Sequence, residues 1–168
     1  EGMPNRNLNA ALTLQDSEVT AANGLRADAE KLLIVIVGDY WTGDDIFPAS
    51  ATAAQAKYDA VLAITIGAAP LEDALHKLRE LVVDDSNLMV LFDISQLPYA
   101  GLWLSYNGCP QAHTPPTTLA PTTMPTPDPR ASCDLKNLNT DIYLILDTSA
   151  AMSSADFLAM RQDVYDFV

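Results

Sequence analysis

The chain has 168 residues, 49% of them hydrophobic, and a formal net charge of −13; it is long enough to bury a core and too apolar for global disorder. That acidity excludes a phosphate-backbone binder, which needs clustered Lys and Arg, and an anionic membrane surface; it suits a basic partner, cation affinity or a solvated acidic surface. No apolar run reaches the roughly 18 residues needed to span a bilayer, so neither nucleic-acid binding nor membrane insertion is expected.

The segment Leu8–Asn23 reads as a helix, with Leu8, Ala11, Leu12, Val19 and Ala22 on one face and Gly24 as its C-terminal cap. Leu32–Val37 is an unbroken aliphatic run bounded by charge, the pattern of a strand buried on both faces of a parallel sheet. A short helix over Ala51–Tyr58 leads to a second such run, Ala60–Ile66, ended by Gly67. Leu71, Ala74, Leu75, Leu78, Leu81 and Val82 then recur at the spacing of one helix face. Pro70 suits that helix's first turn, and Glu72 and Asp73 suit its positive end. Leu88–Phe92 is a third strand, ended by Asp93. Strands alternating with helices predict an α/β fold: a doubly wound, mainly parallel sheet flanked by helices.

Composition changes at Cys109. Between Pro110 and Pro129 lie seven of the chain's eleven prolines and six threonines. Proline lacks the ladder donor and fixes φ, so this stretch predicts an extended spacer rather than a strand. Its composition suits either an O-glycosylated stalk or an unmodified linker. The α/β pattern resumes with the buried-type run Ile142–Leu146, ended by Asp147. Ser153 or Ser154 caps a following helix, with Asp156 in its first turn and Phe157, Met160, Val164, Phe167 and Val168 on its apolar face. The polar start at Glu1 without a leader pattern, and the helix that stops on apolar Val168, lead to the expectation of a mature or fragmentary chain.

The stretch Asp141–Met152, DIYLILDTSAAM, resembles the opening of a von Willebrand factor A domain, where D-x-S-x-S closes the first strand. Asn7–Leu12 (NLNAAL), Leu32–Asp39 (LLIVIVGD), Ala60–Ala68 (AVLAITIGA) and Leu71–Leu97 (LEDALHKLRELVVDDSNLMVLFDISQL) resemble, in order, that family's third helix, fourth strand, fifth strand, and the run from the fifth helix to the start of the last. The resemblance implies three regions and an incomplete fold in this chain. Residues 1–109 would be the C-terminal portion of one such domain, 110–132 a Pro/Thr linker, and 133–168 the first strand and helix of a second.

It also implies a function: a non-enzymatic adhesion or protein-interaction module of a secreted, multidomain protein, binding an extracellular protein or matrix component. In the family a divalent cation, usually Mg²⁺, sits above the carboxyl ends of the strands and accepts a carboxylate from the partner. Asp147 and Ser149 match the first two ligand positions, and Asp39 stands for the acidic residue that closes the fourth strand. Ala151 replaces the third ligand, and Arg6 aligns with the family's coordinating Thr. A guanidinium has no acceptor and cannot bind a metal, so the implied site is degenerate. Cys109 and Cys133 stand where the family's closing and opening cysteines belong. Each would then pair outside this chain, with pairing to each other as the fallback. The residues alone leave free thiols open, although their place at the linker edges favours an oxidising compartment.

Two other classes remain. One is a doubly wound nucleotide- or flavin-binding enzyme, which shares strand–helix alternation but would need a Gly-rich phosphate loop that the chain lacks. The other is a structural spacer. No nucleophile–base pair is apparent. His76, beside Lys77, reads as solvated; His113 lies in the linker; Asp44–Asp45 and Asp84–Asp85 read as loop acids; Trp41 and Trp103 read as packing residues, with Tyr40–Trp41 a possible aromatic contact. Finally, Ile142–Leu146 has no partners of its own, and an unpaired buried strand leaves unsatisfied backbone groups. In the family the first strand lies beside the fourth. The expectation is therefore that Ile142–Leu146 joins the edge of Leu32–Val37, bringing Asp147 and Asp39 to one end of the sheet.

Overall fold

The computed structural model describes residues 8–38, 47–67, 72–108 and 139–146, with residues 154, 155, 158 and 160–162 of a C-terminal helical segment. The elements are α1 (Leu8–Glu18), β1 (Glu30–Gly38), α2 (Phe47–Lys57), β2 (Ala60–Ile66), α3 (Glu72–Val82), β3 (Leu88–Leu91), α4 (Leu97–Asn107) and β4 (Thr140–Leu146). The strands form one four-stranded sheet in the order β3-β2-β1-β4, and every pairing is parallel. This is the expected α/β architecture.

The central strands explain the aliphatic runs. In a parallel sheet covered on both faces, neither alternating set of side chains meets water. Leu33, Val35 and Val37 of β1 and Val61 and Ala63 of β2 face α1, α2 and α3, packing on Leu8, Leu12, Ala51, Ala54, Leu78 and Leu81. Leu32, Ile34 and Ile36 of β1 and Leu62 and Ile64 of β2 face α4 through Leu97, Ala100 and Leu104. The fully buried Met160 joins this second cluster, and Trp103 packs against it.

The late strand β4 pairs with β1 in the register Leu32↔Ile142 to Ile36↔Leu146, as the argument from the unpartnered strand expects. A polar clamp fixes it. Arg26 donates from Nε to Asp141 Oδ1 at 2.7 Å and from Nη1 to Asn139 Oδ1 at 2.8 Å, while its backbone N–H donates to Asp141 Oδ2 at 3.0 Å. Asn139 donates from Nδ2 to the Asp28 carbonyl at 2.9 Å, and its own carbonyl accepts from Glu30 N at 3.0 Å. The division of the chain at 110–132 falls outside the described residues.

Local chemistry moves several boundaries. The first helix stops at Glu18 rather than Asn23. Asn23 Nδ2 donates to the Glu18 carbonyl at 2.7 Å, Thr20 is extended, and Ala21–Asn23 form a separate 3₁₀ turn closed by Gly24 at φ 99°. Glycine carries that left-handed conformation without the steric penalty of a Cβ. The second helix begins at Phe47, earlier than Ala51, because Pro48 is tolerated in a first turn, where its missing N–H has no partner to lose. β3 ends at Leu91, not Phe92, because Phe92 N donates to Gln96 Oε1 at 2.7 Å instead of to a strand.

Candidate functional site

In open α/β sheets, ligands bind beyond the carboxyl ends of the strands, in the crevice where strand order reverses. Here the chain steps from β1 outward through β2 to β3, and β4 returns to the other side of β1. The reversal therefore lies between β1 and β4, whose described residues end at Gly38 and Leu146. Helices that follow these two strands lie on opposite faces: Ala51 and Ala54 of α2 in one core cluster, Met160 in the other. Connections leaving to opposite faces are what opens such a crevice.

The neighbouring strand ends are tied down. Thr65, 1% exposed, points Oγ1 at the Gly38 carbonyl at 3.4 Å, and Gly67 N donates to Leu91 O at 2.8 Å. Past β3, Asp93 accepts from Ser95 N at 2.8 Å and Gln96 Oε1 accepts from Asp93 N at 3.3 Å, a reciprocal cap on the 3₁₀ turn Ile94–Gln96. The hydrogen bonds from Ser95 hold the Asp93 carboxyl below its ordinary range. Asp93 is thus committed to the turn. Beside it, Phe92 is largely exposed at 65%.

The structure brings the ends of β1 and β4 together. Asp39, Asp147 and Ser149, the metal candidates, follow those ends in the sequence and lie outside the described residues, as do Arg6 and Ala151. So do Cys109 and Cys133, the disulfide candidates, and Tyr40, Trp41, Asp44, Asp45 and His113. Among the described residues, no three His, Cys, Asp or Glu side chains form a group able to hold a metal ion. The donor set Asp39, Asp147 and Ser149 is all oxygen. It suits the chemistry of Mg²⁺, which binds through one or two carboxylates and keeps several waters.

Other singled-out residues have structural roles. His76 is exposed, with Nδ1 3.4 Å from Glu80 Oε1 one turn away. Asp84 caps a 3₁₀ turn by accepting from Ser86 N at 2.9 Å, and Asp85 lies 3.5 Å from Arg79. At the other end of the sheet, Tyr58 and Tyr143 meet edge to face at 5.5 Å. Burial pushes both phenols up, Tyr58 the more strongly, so they stay neutral and act in packing. Sequence reading missed the Arg26–Asp141 clamp; its members are 115 residues apart, beyond any local pattern.

No helix among the described residues is long and apolar enough to cross a membrane. Fold and topology define an open α/β protein, doubly wound around β1. Comparisons with protein-family models, with curated proteins and with solved structures return no match.

Proposed function

We propose that the chain is a non-enzymatic protein-interaction module of the von Willebrand factor A type, secreted, and engaging an extracellular protein through the carboxyl end of its sheet. The observation that carries this reading is the placement of β4 beside β1, parallel and in register, with the topological reversal between them. A first-type strand beside a fourth-type strand is the arrangement the sequence resemblance implies, and the reversal is where such sheets recognise ligands. Asp39, Asp147 and Ser149 would be the residues to hold Mg²⁺. The ion would supply a hard Lewis acid for a partner carboxylate. The acidity of the chain adds steering toward a basic partner surface.

The test is surface plasmon resonance of the full chain over immobilised collagen, fibronectin and laminin, in Mg²⁺ and in EDTA, with calorimetric titration of Mg²⁺ alone. Saturable binding to at least one matrix protein, weakened in Asp147→Ala, is expected. Three results contradict the reading: no binding to any of the three, binding indifferent to Asp147→Ala, or purified protein that carries a stoichiometric flavin or nucleotide chromophore.

A further inference from the structure

Two Asn-Gly pairs occur in the chain, Asn23–Gly24 and Asn107–Gly108. Asparagine is a thermolabile residue, and its reaction partner is the backbone nitrogen that follows it. Once deprotonated, that nitrogen attacks the side-chain amide carbon, and a following glycine puts no Cβ in the way. Whether a pair reacts in the folded chain therefore depends on how its glycine N–H is held and whether water reaches it.

The two pairs are held differently. Asn107 ends α4, where Gly108 is buried and its N–H donates to Leu104 O at 2.7 Å. The Asn107 side chain donates from Nδ2 to Trp103 O at 2.9 Å in a partly buried setting. Asn23 instead closes the 3₁₀ turn between α1 and β1, and both Asn23 and Gly24 are exposed. The Gly24 N–H reaches Ala21 O only at 3.5 Å, beyond the usual hydrogen-bond range. No other part of the chain lies within 4 Å of where a Gly24 Cβ would stand, so water has room to approach. A single exposed 3₁₀ turn also opens at little cost.

We propose that Asn23 is a self-modification site, deamidating in water to aspartate and isoaspartate well ahead of Asn107. The Asn23 amide first releases the Glu18 carbonyl. Gly24 N gives its proton to water and bonds to Asn23 Cγ; the Cγ–Nδ2 bond breaks, and the nitrogen takes up a proton and leaves as ammonia. The product is a cyclic imide. One water then opens it. Opening at Cγ restores the normal main chain with an aspartate, and opening at the main-chain carbonyl carbon reroutes the chain through Cβ and Cγ as isoaspartate. Water is consumed and ammonia released, with no oxidant or reductant. The change matters locally because Glu18 O accepts from Asn23 Nδ2 at 2.7 Å as well as from Thr20 N at 3.0 Å. A carboxylate has no donor to offer, so it faces that carbonyl in repulsion. The turn leads directly into Arg26, which clamps Asp141 of β4, so conversion loosens the approach to that clamp.

The test holds the full chain in mildly alkaline buffer made with isotopically labelled water, natively and in urea. The peptides carrying Asn23 and Asn107 are followed by mass spectrometry, with fragmentation that separates the two products. In the native chain Asn23 should convert about tenfold faster than Asn107, whose helix end must open first, and should take up labelled oxygen in both products. In urea the two rates should converge. Asn23 that stays intact in the native chain, or native rates that are equal or reversed, overturn the proposal. Asn23→Gln should abolish conversion in its peptide; continued conversion there overturns it too. Asn23→Asp, one of the products, should speed exchange of the Leu25 amide, which donates to Thr20 O at 3.0 Å, by about fivefold, the equivalent of one net hydrogen bond. Unchanged Leu25 exchange overturns the loosening of the turn.

Discussion

Met160 belongs to the chain's C-terminal segment, yet its side chain is 0% exposed and sits in the cluster formed by β1, β2 and α4. Replacing it with alanine removes a buried side chain and leaves a cavity beneath α4. Buried Met→Ala changes cost 2–5 kcal/mol, so about 3 kcal/mol is expected. With a urea slope of about 2 kcal/mol/M, that moves the unfolding midpoint down by about 1.5 M. Leu158, two residues earlier and 52% exposed, is the internal control; Leu158→Ala should shift stability by less than about 0.5 kcal/mol. The assay is equilibrium urea unfolding followed by tryptophan fluorescence, since Trp103 packs on the same cluster. If the segment after β4 were an independent stub, both substitutions would leave the midpoint unchanged. Equal, small shifts for Met160→Ala and Leu158→Ala refute the shared core.

Three further outcomes are expected. Hydrogen bonds from Arg26, the backbone N–H first, hold the Asp141 carboxyl below its ordinary range, so its contribution is full above that range and is lost as pH falls through the lowered value. The melting temperature of Asp141→Asn should therefore lie below wild type at neutral pH and converge with it in acid, as the carboxyl takes up its proton; a gap that widens in acid contradicts the clamp. Val83 closes α3 at φ 68° and is 76% exposed; a β-branched residue is strained there, and Val83→Gly should stabilise by about 1 kcal/mol in urea unfolding, a loss of stability being the contrary result. Thr65→Val is a near-isosteric change that gives up only the 3.4 Å contact with the Gly38 carbonyl, so calorimetry should find stability within about 1 kcal/mol of wild type, and a larger loss contradicts the weak bond.

The strands were legible because burial on both faces of a parallel sheet leaves unbroken aliphatic runs, as in Leu32–Val37 and Ala60–Ile66. α3 was legible because Leu78, Leu81 and Val82 line one buried face opposite the exposed Arg79 and Glu80. The body of α4 was not read from periodicity: LPYAGLWLSYN is apolar nearly all round, so the face carrying Leu97, Ala100 and Leu104 does not stand out. Helix and strand ends were displaced by side-chain bonds such as Asn23 to Glu18 and Gln96 to Phe92, which periodicity does not register. The pairing of β4 with β1 was legible from the needs of an unpartnered strand together with family resemblance. The clamp that fixes it was not, because ion pairs between distant segments leave no local pattern. Of the candidate site, the chemistry of Asp39, Asp147 and Ser149 is readable in sequence. The structure adds the meeting of the two strand ends that precede Asp39 and Asp147.

Amide hydrogen exchange resolved by residue tests most directly whether β4 belongs to the same sheet as β1. The N–H groups of Tyr143 and Ile145 point to β1 in the register Leu33↔Tyr143 and Val35↔Ile145, whereas those of Ile142 and Leu144 point outward. The expected result is alternation: Tyr143 and Ile145 protected to the level of the β1 core, with Ile142 and Leu144 exchanging faster. Uniform exchange of 142–146 at the rate of an unstructured chain would contradict it.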